Sequence, residues 1–326
     1  MIERDAAACT IGVDIGGTKV AAGIVDADGT MSRYLRGPMN PRGSAEDGFA
    51  AVTGVLDELL TVPEAGRAKM AIGVCAPGPL DPRSGVVLNP PNVPCWRGFP
   101  LTAEIERRYG VKAKLDNDAN AAALAESVWG AGRGFRNVFY ACIGTGIGTG
   151  IVLDGKIFHG RTGSAAEGGH VTIDFRGPAC NCGKKGCIEA LASGTAIARR
   201  ARAAVSQDPE KGAPLAAMAE GDAARIRCEM VGRAAAARDP VAQQILDETI
   251  GYLAVWLGNI VDLLEPEVMI LGGGVSEMLR PHFANLEVRL KDWCVNSRCD
   301  QIPLVPAHYG ENSGIAGGAA LCFVQG

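Results

Sequence analysis

The chain has no run of about 18 uninterrupted apolar residues, which argues against a membrane span. Its opening, MIERDAAACT, mixes charges early and holds no apolar stretch of the signal-peptide kind, so no secretory leader is expected. A large excess of either charge is absent too. A net charge of −4 over 326 residues is mild, and no low-complexity tail is present. The densest basic patch, ARRARAA over Ala198–Ala204, is expected to be a solvated helix face rather than a nucleic-acid surface. Neither a membrane nor a nucleic-acid partner is expected. What remains is an ordinary globular composition, 47% hydrophobic and 21% charged, with length for one or two α/β-sized domains.

Histidine is scarce at four residues, whereas cysteine reaches an odd eleven. Most thiols stand singly among apolar residues, such as Cys75 in AIGVCAPG and Cys142 in FYACIGTG, and read as small buried hydrophobes. Odd count, scatter and absent leader together indicate a reducing, cytoplasmic compartment and argue against disulfides. One cluster breaks the scatter: Cys180, Cys182 and Cys187 follow C-x-C-G-x-x-G-C, with His170 ten residues upstream in EGGH. Gly183 and Gly186 let the backbone wrap three sulfurs round one centre. A closed tetrahedral site needs a fourth ligand, and His170 supplies it. The leading expectation is a structural Cys₃His zinc centre, ahead of unbound buried thiols or a disulfide.

Along the chain, strands alternate with helices. CTIGVDIGGTKVAAGIVDADGT (Cys9–Thr30) reads as strand, glycine turn, strand and turn, and Val138–Gly160 repeats that grammar as a faint internal duplication. The spacing of Leu246, Ile250, Leu253, Leu257, Ile260 and Leu264 predicts one apolar helix stripe, stopped by EPE. ANAAALAESVWGAG (Ala119–Gly132) reads as helix, and Ser206–Ile226 as the likeliest loop.

Three glycine turns follow strands: DIGGTK (Asp14–Lys19), IGTGIGTG (Ile143–Gly150) and LGGGVSE (Leu271–Glu277). Glycine lets backbone N–H groups approach an anion with no Cβ in the way. Gly16, Gly17, Lys19, Gly144, Gly146, Gly272, Gly273 and Gly274 are therefore candidate phosphate contacts, with hydroxyls from Thr18 and Thr145. Asp14 is a carboxylate on which a hydrated magnesium could rest. The turns lack both Walker A spacing and the helix-opening dinucleotide fingerprint. In LDNDANA, Asn117 or Asp118 reads as a helix N-cap, and a carboxylate there can also accept a hydroxyl proton.

Taken together, VDIGGTK, DNDANAAALAE, IGTGIGTGIV, EGGH, CNCGKKGCIEALASG and ILGGGVSE resemble the ROK family of sugar kinases and related repressors, most of all its bacterial glucokinases. The likeness runs from about Ile11 to Gly318 with the motifs in the family's order. It implies an α/β, actin-like (ribonuclease H-like) fold of two lobes with ATP and sugar in the cleft. A small lobe of residues 1–118, completed by about 311–326, would join a large lobe of residues 119–310 carrying the zinc and glycine turns. It implies Asp118 as catalytic base and Asn92, Asn117, Glu167, His170 and Glu189 as sugar contacts. The implied reaction is ATP- and Mg²⁺-dependent phosphorylation of a hexose at its 6-hydroxyl, glucose first. N-acetylglucosamine, N-acetylmannosamine, mannose and fructose are alternatives, and a sugar-responsive regulator is a remoter one. A homo-oligomer, dimer or tetramer, is expected. Two positions depart from the family pattern: Cys95, where a glycine is common before Trp96, and Gly168, where a large side chain is usual.

Overall fold

The computed structural model describes residues 9–324, with backbone only for residues 66–70. The leader expectation rests largely on residues 1–8, which lie outside them. Ten of the strands fall into two five-stranded sheets. The first holds β1 (Cys9–Ile15), β2 (Lys19–Asp26), β3 (Met31–Pro38), β4 (Ala68–Ala76) and, after a short hairpin of β5 (Leu80–Asp81) and β6 (Val86–Val87), β7 (Lys112–Asn117). Its order is β3-β2-β1-β4-β7, with β1, β2 and β3 antiparallel and β4 and β7 parallel to β1.

The second sheet runs β10-β9-β8-β11-β12, from β8 (Val138–Ile143), β9 (Ile147–Leu153), β10 (Lys156–Ile157), β11 (Val268–Gly272) and β12 (Leu304–Pro306). Serial order is the same in both sheets: first strand central, next two outward on one side, last two on the other. The β9–β10 pair is antiparallel and β11–β12 parallel, like their counterparts β2–β3 and β4–β7. The repeated grammar of the sequence is thus a repeated sheet plan.

The chain divides into two compact units. One runs to Tyr140 and takes in Gly150–Ala166 and the segment from Ala307; the other comprises Ala141–Thr149 and Glu167–Pro306. The helix Asp118–Val128 belongs to the first unit, although a division at residue 118 would assign it to the second. Its alanine face packs against the C-terminal helix Ser313–Phe323, so closely that a Cβ on Gly317 would lie 2.6 Å from the Ala121 carbonyl carbon.

That C-terminal helix also lies on β1 and β4. A Cβ on Gly12 would sit 1.8 Å from the Ile315 carbonyl oxygen, and one on Gly73 would sit 1.7 Å from that of Gly318. Helix backbone therefore rests on strand backbone. On the sheet's other side, Ile11, Val13, Leu56, Val74, Trp96, Leu101 and Ile105 form the main core of the unit.

In the second unit, the predicted apolar stripe is the buried side of helix Pro240–Leu264. Asp239 caps it by accepting from the Ala242 N–H at 2.7 Å, and Glu265 ends it with φ 41°. One expectation fails here. Residues 206–226 are not simply a loop: they include the end of helix Gly194–Gln207 and a short helix Ala213–Met218, anchored by fully buried Leu215 and Ile226. ARRARAA does present an exposed helix face at Arg199 and Arg202, and its arginines also reach carbonyls. Arg199 donates to the Ala190 carbonyl, Arg200 to Glu248 and the Ile245 carbonyl, and Arg202 to the Ile226 carbonyl. Spacing locates a charge on a helix face but does not reveal the carbonyls opposite it.

The glycine contacts make a test. Gly73→Ala forces a methyl into backbone, so it should destabilise by about 2–3 kcal/mol, the upper range for overpacking. Urea unfolding should show that loss with an unchanged slope; Gly54→Ala, where a Cβ meets nothing within 4 Å, should show none.

Candidate active site and metal centre

Parallel strands β1, β4 and β7 bring three polar residues into register: Asp14 lies opposite Cys75, and Cys75 opposite Asp116. All three lie toward the C-terminal ends of the strands, where open α/β sheets bind ligands. Cys75 is fully buried, and its thiol donates to Asp14 Oδ1 at 3.5 Å and to the Gly314 carbonyl at 3.2 Å. Burial pushes that thiol's pKa well up, so it stays a protonated donor. Burial also raises the Asp14 pKa, against the Cys75 hydrogen bond and the Lys19 charge. A Cβ on Gly314 would come 2.3 Å from the Asp14 carboxyl carbon, so only glycine leaves that carboxylate room.

One step further along β7 the chain turns into helix Asp118–Val128. Asn117 is the N-cap, its Oδ1 accepting from the N–H groups of Ala119 (2.9 Å) and Asn120 (3.4 Å). Asp118 opens the helix and accepts from the Ala119 N–H at 2.8 Å. Its residue surface is exposed to water, yet the protein mass around it pushes its pKa to about 6, with the Asp14 charge adding to the rise. Asp116, by contrast, is buried and fully engaged. It takes the Asn117 N–H at 2.8 Å, Asn120 Nδ2 at 3.0 Å and His159 Nε2 at 2.6 Å, and the last bond raises the His159 pKa. Neither Cys75 nor His159 was expected to serve the site: Cys75 carries the same apolar context as any core thiol, and His159 stands 43 residues from its partner.

The first glycine turn closes with the Gly16 N–H on the Lys19 carbonyl at 2.9 Å, leaving Thr18 and Lys19 exposed. It meets the Asn92 loop, since a Cβ on Gly17 would lie 2.8 Å from the Asn92 carbonyl oxygen. Asn92 is exposed, and the loop behind it is pinned by buried Trp96, stacked on Phe99 and donating to the Ala45 carbonyl. Cys95 needs no left-handed backbone there, so the absent glycine leaves the loop intact.

In the second unit, Gly144, Thr145 and Gly274 line one cavity of about 690 Å³, within the range of small-ligand pockets. Gly194 N–H and Thr195 Oγ1 hold the carbonyls of Gly144 and Thr145, both at 2.8 Å. Gly273, at φ 90°, passes so near Ile143 that a Cβ would lie 2.4 Å from its carbonyl oxygen. Gly146, Gly272 and Gly273 are not among the residues lining the cavity; Gly146 faces Glu189, and Gly272 is buried in β11. The other walls hold Arg202, Arg227, Cys228, Glu229, Arg233 and Met278, none of which the glycine patterns indicate.

The cysteine cluster assembles as its spacing suggests. Ligand atoms of His170, Cys180, Cys182 and Cys187 all lie within 4.8 Å of one another. Cys182 and Cys187 sulfurs are 3.7 Å apart, and His170 Nδ1 is 3.6 Å from Cys180 Sγ. A tetrahedron with Zn–S of about 2.3 Å has edges of about 3.8 Å, so the donor set fits zinc. Gly186 is required there: its φ is 62°, and a Cβ would strike the Asp174 carbonyl at 1.5 Å. Because His170 turns Nδ1 to the sulfurs, Nε2 lies on the other side of the ring. Glu189, two residues past Cys187, accepts from the Ile147 N–H at 2.9 Å, and Glu167 is exposed.

The chain matches the ROK family over residues 10–324. It is 34% identical to the glucokinase of Thermotoga maritima over 311 residues, 95% of this chain and 96% of that one. Among solved structures, a ROK family glucokinase from Streptomyces griseus in complex with glucose and AMPPNP superimposes with a TM-score of 0.78 at 34% identity, over 96% of this chain and 98% of that one. ROK hexokinase from Thermus thermophilus gives 0.80 at 33%, covering 96% and 97%. Two sheets of one serial plan, glycine turns after their first strands and this family match have one reading: the chain belongs to the ROK family and has its actin-like α/β fold.

Proposed function

We propose that the protein is an ATP-dependent glucokinase, transferring the γ-phosphoryl group to the 6-hydroxyl of glucose. The observation that carries the reading is Asp118: an accessible carboxylate with a raised pKa, beside Asp14 and at the strand ends, in a chain like known glucokinases. Phosphoryl transfer asks the protein mainly for positioning and charge stabilisation. As the 6-oxygen attacks the γ-phosphorus, its proton passes to ionised Asp118 and ADP leaves with the bridging oxygen. The Ala119 N–H and Asn117 fix that carboxylate, and Asp116 with His159 fixes Asn117.

Asn92, Asn117, Glu167, Glu189 and His170 Nε2 are assigned to the sugar hydroxyls. The turns Gly16–Lys19, Gly144–Gly146 and Gly272–Gly274 are assigned to the nucleotide, Gly146 and Gly272 by shaping the backbone. Magnesium supplies charge neutralisation to the phosphates, and Asp14 suits a hydrated ion because Cys75 occupies only Oδ1. Zinc on His170, Cys180, Cys182 and Cys187 would be structural, since four protein ligands leave no place for water. Among the described residues no helix is long and apolar enough to cross a membrane. A cytoplasmic homo-oligomer is the setting we assign.

A coupled assay with ATP, magnesium and a hexose panel should give turnover on glucose above the other sugars; turnover on none would reject the reading. Asp118→Asn should lower kcat by at least ~10²-fold, the range of general-base assistance, while glucose still binds calorimetrically. Because the base must be ionised, wild-type kcat/KM should fall about tenfold per pH unit below about pH 6. Stability should move in the opposite sense. Between the ordinary value of 3.8 and about 6 the folded chain holds the extra proton, so Asp118 lowers stability as pH rises through that window. Asp118→Asn should flatten that slope in urea titrations. Metal analysis should find one zinc per chain; its removal by chelator should raise the glucose KM with little change in the ATP KM. A zinc-free sample with unaltered glucose KM would detach the metal from the sugar site.

A further inference from the structure

Segment Glu167–His170 carries two proposed sugar contacts at its ends, one of them also a metal ligand, with only Gly168 and Gly169 between them. Both glycines are buried. A Cβ on Gly169 would lie 1.9 Å from the Ile147 carbonyl oxygen, so the segment passes directly against the backbone of β9. Glycine pairs leave backbone direction open unless something else fixes it.

Here side chains from two other elements fix it. The Gly168 N–H donates to Thr149 Oγ1 at 2.8 Å, from β9. The Gly168 carbonyl accepts from Trp256 Nε1 at 3.1 Å, from helix Pro240–Leu264. Both partners are buried, Thr149 at 4% exposure and Trp256 at 0%. Space is also shared: a Cβ on Gly168 would lie 2.6 Å from Thr149 Oγ1 and 3.1 Å from its Cγ2. The methyl and hydroxyl of Thr149 therefore occupy what a side chain at 168 would need. A β-branched residue in a strand is stiff at χ1, and a buried indole is stiffer still, so both grips are rigid.

From this we infer that Thr149 and Trp256 are positioning residues for the sugar site: by gripping the N–H and the carbonyl of Gly168, and so the peptide units on both sides of it, they set where Glu167 and His170 point. Positions 149 and 168 are then a coupled pair, and a change of size or polarity at one is felt at the other. The inference rests on the glucokinase reading for its kinetic consequence, but the grip on the peptide can be read without turnover.

Thr149→Val keeps the shape and removes the acceptor, leaving a buried N–H unpaired. It should raise the glucose KM about five- to twenty-fold while kcat and the ATP KM stay within about twofold, and Thr149→Ser should restore most of the loss. Trp256→Phe should act in the same direction, and serves if the valine variant does not fold. Gly168→Ala should raise the glucose KM in wild type but much less in a Thr149→Gly background, a non-additivity expected only of a shared space. Hydrogen exchange of the peptide spanning residues 167–171 should speed up in Thr149→Val and not in Thr149→Ser.

An unchanged glucose KM in Thr149→Val, a serine variant no better than valine, or glucose and ATP KM rising together would overturn the inference. If wild type phosphorylates no glucose, the functional reading falls by itself. Exchange then decides the positioning role, and equal protection in the valine and serine variants refutes it.

Discussion

Everything in the first unit depends on contact between strand backbone and helix backbone. Gly12 and Gly73 on β1 and β4, with Gly317 and Gly318 on the C-terminal helix, remove the side chains that ordinarily hold such elements about a side chain's width apart. The helix can then seat Gly314 against Asp14 and offer its carbonyl to the Cys75 thiol. A helix displaced by one methyl would move that carbonyl and the wall behind the carboxylate together. Sheet packing and the proposed metal-bearing acid are thus one constraint, met in a chain segment some three hundred residues from β1.

The duplicated sheet plan explains why the candidate functional turns fall where they do. The turn between first and second strands is Gly16–Lys19 in one sheet and Gly144–Gly146 in the other. The fourth strand in order ends at Ala76 beside Asp14's neighbour Cys75 in one, and at Gly272 before the Gly273 turn in the other. The halves have diverged in what they carry. The first keeps carboxylates at its strand ends; the second keeps bare glycines and a cavity edged by arginines. On the proposed reading, acid chemistry and anion binding are divided between two sheets of one plan.

Much of this was legible because local chemistry demands particular residues. A tight turn requires glycine, a helix start favours Asn117, and three thiols wrapped by Gly183 and Gly186 mark a cluster that could hold a metal. A periodic stripe gave the long helix to its last residue. Hidden from sequence were the partners that only folding brings together. Cys75 looks like filler until β1 and β4 align it with Asp14. His159 carries no motif, yet it completes the shell of Asp116 across 43 residues. Arg202 is the surface charge it reads as, but its bond to the Ile226 carbonyl appears only in the fold. Gly168 looks like a lost side chain, and the structure shows Thr149 standing in that space.

The candidate acids of the two units are held in a common way. Asp118 is fixed by the Ala119 N–H, Glu189 by the Ile147 N–H, and Asp116 by the Asn117 N–H together with Asn120 and His159. Backbone donors orient a carboxylate without cancelling its charge, whereas a lysine or arginine partner would do both. The influences on Asp118 are desolvation by the surrounding protein, hydrogen-bond donors and the charge of Asp14, with no cation among the leading ones, and the result is a raised pKa. An acid kept in place but not neutralised has affinity for whatever positive charge the reaction brings. On the proposed reading that is a hydrated divalent ion at Asp14, and at Asp118 the proton of a hydroxyl becoming a nucleophile. Asp116, buried and bonded to the Asn117 N–H, Asn120 and His159, is the contrast built into the same strand: its oxygens are occupied inside the protein, and on the proposed reading it orients rather than reacts.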